Sequence, residues 1–331
     1  MSFYFKSKKN NHSSNEINAD TITAVRLNIK KENFIMTKSV ALITGASSGM
    51  GKAAAIQFNN AGYTVYAGAR HMEPMTELEQ QGIHTMKLDV TDHDSNKAFV
   101  DAALENEGRI DVLINNAGYG SMGAVEDVDQ AEAKRQFDVN VFGAADLIQL
   151  VLPTMRAQHA GKILNNSSIG GQMYSPLGGW YYASKHALEA LSDSLRLEVK
   201  DFGIDVIIIE PGGTKTNWQQ VAADHMLEAT PKESPYRQMV EIYANASMNF
   251  SATADDIAHL MFKAATTVNP KTRYQLSWGD RAVVIAVRKF SYKTIDRGIR
   301  FAMRIAEQNL MKNQISDNSN TNQSVDDSQT I

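Results

Sequence analysis

The sequence contains no cysteine. Disulfide bonds, thiolate catalysis and cysteine-ligated zinc are therefore excluded. Long apolar runs are missing too. Nothing approaches the roughly 18 consecutive apolar residues of a spanning helix, and the opening MSFYFKSKKNNHSS lacks the apolar central block of a secretory signal. There is no basic balance: the formal net charge is -4 over 331 residues, whereas a nucleic-acid partner ordinarily shows as an excess of Lys and Arg. The eight histidines are scattered, with no His-x-x-x-His pair, so no metal site is read. No internal repeat is visible. What remains is a chain that is 43% hydrophobic, enough to bury one large core and too little for three domains. A cytoplasmic protein is the expectation.

Residues 1–35 are polar, rich in Asn and Lys, and are read as a disordered extension. Met36 opens MTKSVALITGASSG, the natural start of a folded domain, and Lys31-Glu32 admits a purine-rich ribosome-binding codon pair just upstream. Translation is thus expected to begin at Met36. The domain is expected over 36–312, and the polar, acidic stretch 313–331 reads as a disordered tail. Between them, short apolar runs alternate with helical stretches. SVALIT, YTVYAGA, IHTMKLDV, IDVLINNA, KILNNSS and IDVIIIEP read as strands. The helical stretches include GKAAAIQFNNAG, DSNKAFVDAALENEG, one long helix over 130–158, and YYASKHALEALSDSLRLEVKDFG. This order implies an α/β fold: a single Rossmann-like, doubly wound parallel sheet with helices on both faces, a small substrate lid and a C-terminal helical extension.

Between the first strand and its helix lies Thr44-Gly45-Ala46-Ser47-Ser48-Gly49-Met50-Gly51, with the spacing Gly-xxx-Gly-x-Gly. Gly45 permits a tight turn, Gly49 removes the Cβ where phosphate must approach, and Gly51 lets helix and strand pack closely. The helix N-terminus supplies N–H groups and a positive dipole end for a pyrophosphate. The end of the second strand ordinarily reads the adenosine ribose, and a carboxylate there favours NAD. Here the place falls on Ala69, followed by Arg70 and His71. Without a carboxylate, and with a guanidinium able to bind a 2′-phosphate bidentately, NADP(H) is favoured over NAD(H).

The chain resembles the short-chain dehydrogenase/reductase family across about residues 38–270. The motifs that carry the resemblance are TGASSGMG (44–51), LDV (88–90), NNAG (115–118), NVFG (140–143), SSIGG (167–171), YYASK (181–185) and EPGGTKT (210–216). It implies hydride transfer between nicotinamide and a carbonyl or alcohol substrate, with Tyr181 as general acid/base. Tyr181 and Lys185 share one face of a helix, and the lysine is expected to favour the phenolate, lowering the tyrosine pKa. Lys185 would also bond the nicotinamide ribose. Ser168, 13 residues before Tyr181, would hydrogen-bond the substrate oxygen; its neighbour Ser167 is the residue that could be confused with it. Asn140 matches the residue that holds a water of the proton relay. The cofactor positions implied are Gly45, Ser47, Ser48, Gly49, Met50 and Gly51 in the loop, with Arg70 after the second strand. Asp89 and Val90 match the adenine contact, and Asn116, Ala117 and Gly118 the central segment. Pro211, Gly212, Thr214 and Thr216 match the nicotinamide end, where Thr214 replaces a common aliphatic residue. A non-catalytic NADP-binding regulator on the same fold is the alternative, although its usual mark, loss of Ser168, Tyr181 or Lys185, is not seen.

The segment 217–250 carries Trp218, Met226, Tyr236, Met239, Tyr243, Met248 and Phe250, a composition that suits a lid over an apolar substrate. Residues 281–312 hold eight Lys/Arg against Asp296 and Glu307. They are read as a helix pair covering the pocket, with contact to anionic lipid at the membrane periphery as the less favoured alternative. By resemblance, a homodimer or homotetramer assembled through the helices near 130–158 and 182–202 is expected.

Overall fold

A computed structural model describes residues 38–215, 218–245, 252–305 and 308. Thr216, Met248, Phe250 and the expected terminal segments 1–35 and 313–331 lie outside the described residues. The first strand shows why the sheet forms. In β1 (Val40–Thr44) every residue is buried. Ala41 and Ile43 enter one apolar cluster, Val40 and Leu42 the other. A strand covered on both faces needs apolar residues at both alternations, and the run VALI supplies them.

From β1 the chain passes through α1 (Gly49–Asn60) to β2 (Thr64–Ala69), then α2 (Thr76–Gln80) and β3 (His84–Lys87). Next come α3 (His93–Glu107), β4 (Val112–Asn115), α4 (Gln130–Phe137), α5 (Gly143–Gln158) and β5 (Gly161–Asn166). The helix α6 (Gly179–Glu198) leads to β6 (Ile204–Ile209). Among the described residues the main sheet has the order β3-β2-β1-β4-β5-β6-β9, with β9 at Arg273–Tyr274, and all its neighbours pair in parallel. Phe58, Met75, Ile257 and Met261 fill one face, while Phe99, Leu147, Val151 and Leu195 fill the other. The expected doubly wound α/β architecture is thus present.

Three details differ from the sequence expectation. The helix over 130–158 is interrupted by a π turn, Asp138–Phe142, which inserts an extra residue and re-aims the side chains on it. A two-stranded parallel sheet of β7 (Thr214–Lys215) and β8 (Ala252–Thr253) pinches the base of the lid helices α7 (Trp218–Ala229) and α8 (Arg237–Asn245). Finally, α9 (Ala254–Thr266), started by a Thr253–Asp256 capping box, was not among the expected elements. It packs beside α1, with the Phe58 and Phe262 rings 5.2 Å apart. The chain continues through α10 (Trp278–Lys289) into a helical stretch over 292–305.

Candidate active site

The glycine loop forms a cradle walled by backbone. Gly45 takes φ +66° and Gly49 φ +53°, the left-handed region open to glycine. A Cβ on Gly51 would lie 2.3 Å from the Gly45 carbonyl oxygen, and one on Gly45 would lie 2.8 Å from Ala117 Cα. Asn116 holds this loop from below: its Nδ2 donates to the carbonyls of Thr44 (3.0 Å) and Gly45 (3.2 Å), and its Oδ1 accepts from Asn166 (2.9 Å). Asp92, Asp129, Thr253 and Ser277 cap their helices with side-chain bonds, but Ser48 at the start of α1 makes none. The first amide hydrogens of α1 are left to a ligand, and a pyrophosphate suits them. The residues present therefore fit a dinucleotide.

Arg70 is exposed just beyond β2, Ser47 and Ser48 stand in the loop, and Met50 lies in the first turn of α1. Burial pushes the Asp89 carboxyl up, but hydrogen bonds from Thr91 and the nearby Arg70 and Arg135 charges outweigh it and hold Asp89 below the usual range. Arg70 and Asp89 thus share one end of the site. Val90 is buried, and its carbonyl accepts from Asn96 at 3.0 Å.

At the other end, a cavity of about 660 Å³ is lined by Ser168, Tyr181, Lys185, Asn116, Gly118 and Pro211, among others. Gly212 and Thr214 border it as well. Ser168 follows β5 and takes a backbone N–H bond from Gly170 at 3.0 Å. Ser168 Oγ donates to the Pro211 carbonyl at 3.4 Å, and the Ser168 side chain acts on the nearby Tyr181 hydroxyl, drawing its pKa down against burial. Ser167, by contrast, buries its hydroxyl without a hydrogen-bond partner among the described residues. One turn after Tyr181 on α6, Lys185 is buried and donates from Nζ to the Asn166 carbonyl at 2.9 Å. The π turn delivers Asn140 to the same place: a Cβ on Gly118 would lie 3.1 Å from Asn140 Oδ1 and 3.6 Å from Lys185 Nζ. Asn140 Nδ2 donates to the Tyr119 carbonyl (2.9 Å) and Ser184 Oγ (3.0 Å), and Oδ1 accepts from Tyr119 N–H (3.0 Å). Both amide hydrogens are thus committed to protein partners.

One expectation is reversed. The Tyr181 pKa lies above its ordinary value, pushed up to about 12 by burial, with the Ser168 side chain opposing. Burial also lowers Lys185 to about 8, against the pull of Glu189. Desolvation disfavours each charged form and outweighs the benefit that the sequence reading assigned to a neighbouring ammonium.

The sequence model described as short chain dehydrogenase matches residues 39–227. The chain belongs to this family of short-chain dehydrogenases/reductases. It is an oxidoreductase of the class that acts on CH–OH and C=O groups, and a nicotinamide dinucleotide is its cofactor. A probable short-chain type dehydrogenase/reductase, VdlC of Helicobacter pylori, is 44% identical over 186 residues, 56% of this chain and 69% of that protein. The 3-ketodihydrosphingosine reductase of Bacteroides thetaiotaomicron is 41% identical, covering 55% of this chain and 66% of that one. Among solved structures, a short-chain dehydrogenase from Streptomyces avermitilis aligns at TM-score 0.68 and 30% identity, over 82% of this chain and 99% of the other. A Burkholderia phymatum member in complex with NAD aligns at TM-score 0.64 and 25% identity, over 76% and 92%. A metagenomic member in complex with NADP aligns at TM-score 0.57 and 26% identity, over 72% and 97%.

In this short-chain dehydrogenase the lid supplies apolar walls. Tyr181 packs in a cluster with Met122, Leu177, Met226 and Val240, and the Trp218 ring lies 5.2 Å from the Tyr181 ring. A second feature was missed in the sequence: a charge cluster in which Glu189 and Glu210 are buried. Arg273 on β9 reaches Glu189 (2.9 Å), Asp193 (2.6 Å) and Glu210 (3.2 Å). Glu210 directly precedes Pro211, and Glu189 stands one turn beyond Lys185 on α6. A carboxylate closing the buried run IDVIII was the available signal. Burial, and next the Glu189 charge, push the Glu210 carboxyl up to about 7 from 4.5. The folded chain therefore holds this proton more tightly than the unfolded one. Its stabilising contribution is full below about pH 4.5 and is lost as pH rises to about 7. Glu210→Gln is expected to remove this loss, on the order of 3 kcal/mol at most. Denaturant unfolding across that interval checks it: the variant should show the flatter pH profile, and parallel profiles would refute the assignment.

Proposed function

We propose that the chain is an NADP(H)-dependent reductase of an apolar ketone or aldehyde, with Tyr181 as general acid/base. The observation that carries the reading is the convergence of the Ser168 and Tyr181 hydroxyls on the wall of one cavity, with buried Lys185 beside them. When bound, the nicotinamide supplies or accepts the hydride. Ser168 donates a hydrogen bond to the carbonyl oxygen, and Tyr181 gives that oxygen its proton. In oxidation Tyr181 takes the alcohol proton back. Lys185, charged at neutral pH, offsets the negative charge that grows on the phenolic oxygen. Asn140 acts as a positioning residue, fixing the Tyr119 backbone in the loop after β4 and Ser184 beside Lys185.

The loop Gly45–Gly51 and the α1 amides would hold the pyrophosphate, and Arg70 would bind a 2′-phosphate. Asp89, Val90, Ala117 and Gly118 would lie along the adenosine and central portions, and Pro211, Gly212, Thr214 and Thr216 at the nicotinamide end. The Met122, Met173, Trp218 and Met226 side of the cavity favours an apolar substrate, and the name of the Bacteroides relative agrees with that. Exposed Phe142 and Leu197, near and on the helices expected to pair, support assembly as a homodimer or homotetramer. A panel of ketones, aldehydes and quinones with NADPH, read at the nicotinamide absorbance band, tests the proposal. Turnover of apolar carbonyls is expected; no absorbance change with any carbonyl would overturn it.

A further inference from the structure

We infer that α10 and the helical stretch 292–305 form a docking face for an anionic lipid bilayer, at the rim of the cavity. No described helix is long and apolar enough to cross a membrane, so the contact is peripheral. The first helix is anchored sparsely. Val284 is its one buried residue, while Trp278 (78% exposed), Ile285 and Lys289 fall at i, i+7 and i+11 and share an outward face. Between the helices, Phe290 and Tyr292 are exposed as well. Along 292–305, Ile295, Ile299 and Met303 are half-buried at i, i+4 and i+8 and mark the inward side. Phe301 (66% exposed) and Ile305 fall on the opposite side by helical spacing. Beside them Lys293, Arg297, Arg300 and Arg304 recur at i, i+4, i+7 and i+11, a single stripe of cations.

Among the described residues the charge on this face is uncompensated. Within 281–305 Asp296 is the sole acid, and it accepts a hydrogen bond from Tyr174 at 3.0 Å. None of Arg281, Lys289, Lys293, Arg297, Arg300 or Arg304 enters a salt bridge among the described residues. The whole chain is nevertheless acidic at -4, so positive charge is segregated here. Exposed aromatic rings set among free Lys and Arg match a headgroup boundary, where the rings enter the interface and the cations meet anionic lipid. A second copy of the chain fits this face poorly. A two-fold contact would set each cation stripe against its own duplicate.

The face also adjoins the cavity. Arg288 donates to Gln172 at 2.9 Å, and the Tyr174 and Tyr292 rings stand 6.3 Å apart. Met173 and Ser175, from the same short segment, line the cavity. A Cβ on Gly212, another lining residue, would fall 1.9 Å from Asp280 Oδ1 at the start of α10. The two helices thus brace the rim, and docking would bring the cavity mouth toward the lipid from which an apolar carbonyl substrate could enter. That last step rests on the proposed reductase activity; the docking itself does not.

Sedimentation of the full chain with vesicles tests it without reference to turnover. Binding is expected to vesicles of equal parts phosphatidylcholine and phosphatidylglycerol, weakened by salt, and absent with phosphatidylcholine alone. Trp278 should shift its emission to the blue on the anionic vesicles. Replacing Arg297, Arg300 and Arg304 together with Gln should lower partitioning by roughly a hundredfold, while NADPH-dependent turnover of a water-soluble ketone stays unchanged. Should that variant melt early, the salt titration of the unaltered chain and a Phe301→Ser variant give the same readout. Recovery that is equal on both vesicle types, or absent from both, would overturn the inference. So would self-association that Phe301→Ser abolishes, which would assign the face to a second copy of the chain.

Discussion

Replacing Tyr181 with Phe is expected to lower kcat for carbonyl reduction by roughly 10²- to 10⁴-fold, with little change in cofactor affinity or melting temperature. The ring is what packs against Trp218 and the lid cluster, and Phe keeps it. The variant loses only the hydroxyl, which shares the cavity wall with Ser168 and is the proposed proton donor. The direction of the pKa shifts sharpens this expectation. Buried Tyr181, raised to about 12, holds its proton at neutral pH, which suits an acid waiting for a carbonyl. Lys185, lowered to about 8, is still an ammonium at pH 7 and loses its proton just above. Reduction by the unaltered chain should therefore run level below pH about 8 and decline above it, as the charge that supports the departing proton disappears. Oxidation needs the phenolate beside the ammonium and should rise with pH up to about 8, then level. Steady-state rates in both directions across pH check the pair. A reduction rate indifferent to the loss of the Tyr181 hydroxyl would remove it from the mechanism.

Exchanging Arg70 for Asp should invert cofactor preference. Removing charge-assisted bonds to a 2′-phosphate costs about 1.5–3 kcal/mol, or roughly 10- to 100-fold in kcat/KM for NADPH. The new carboxylate adds repulsion of the phosphate and an acceptor for a 2′-hydroxyl, so NADH should improve as NADPH declines. The position permits a clean comparison: Arg70 is exposed just past β2, outside the core. Its charge helps hold Asp89 low, so the variant should also let the Asp89 carboxyl rise. The ratio of kcat/KM for the two cofactors, at one fixed ketone, is the readout. A ratio that stays put in Arg70→Asp would mean that another group reads the ribose.

How much of this could be read beforehand follows from the range of the interactions. The glycine loop was legible because its requirements are local: turn, close approach and helix start fall within eight residues. Ser168, Tyr181 and Lys185 were legible through spacing on one strand end and one helix face, and the structure brings them to one cavity. What could not be read was tertiary. The pKa of Tyr181 moved opposite to expectation because its sign depends on how much surface the lid removes, and no spacing reports that. The π turn at Asn140 answers to Tyr119 and Ser184, residues 21 and 44 positions away. Arg273, Glu189 and Glu210 meet only because β9 joins the sheet beside β6, and a two-residue strand leaves almost no periodic trace. The exposure of Trp278, Phe290, Tyr292 and Phe301 left no trace in the sequence, since apolar spacing on a helix does not say which side the body occupies.

In the proposed reaction hydride arrives at a substrate carbon while Tyr181 protonates the oxygen. NADPH deuterated at the nicotinamide C4, incubated with a turned-over ketone, tests it directly by mass spectrometry of the alcohol. The predicted product carries one deuterium on the carbinol carbon, formed by the unaltered chain and almost absent with Tyr181→Phe at equal time. Deuterium missing from that carbon, or formed as fast by the Tyr181→Phe chain, would contradict it.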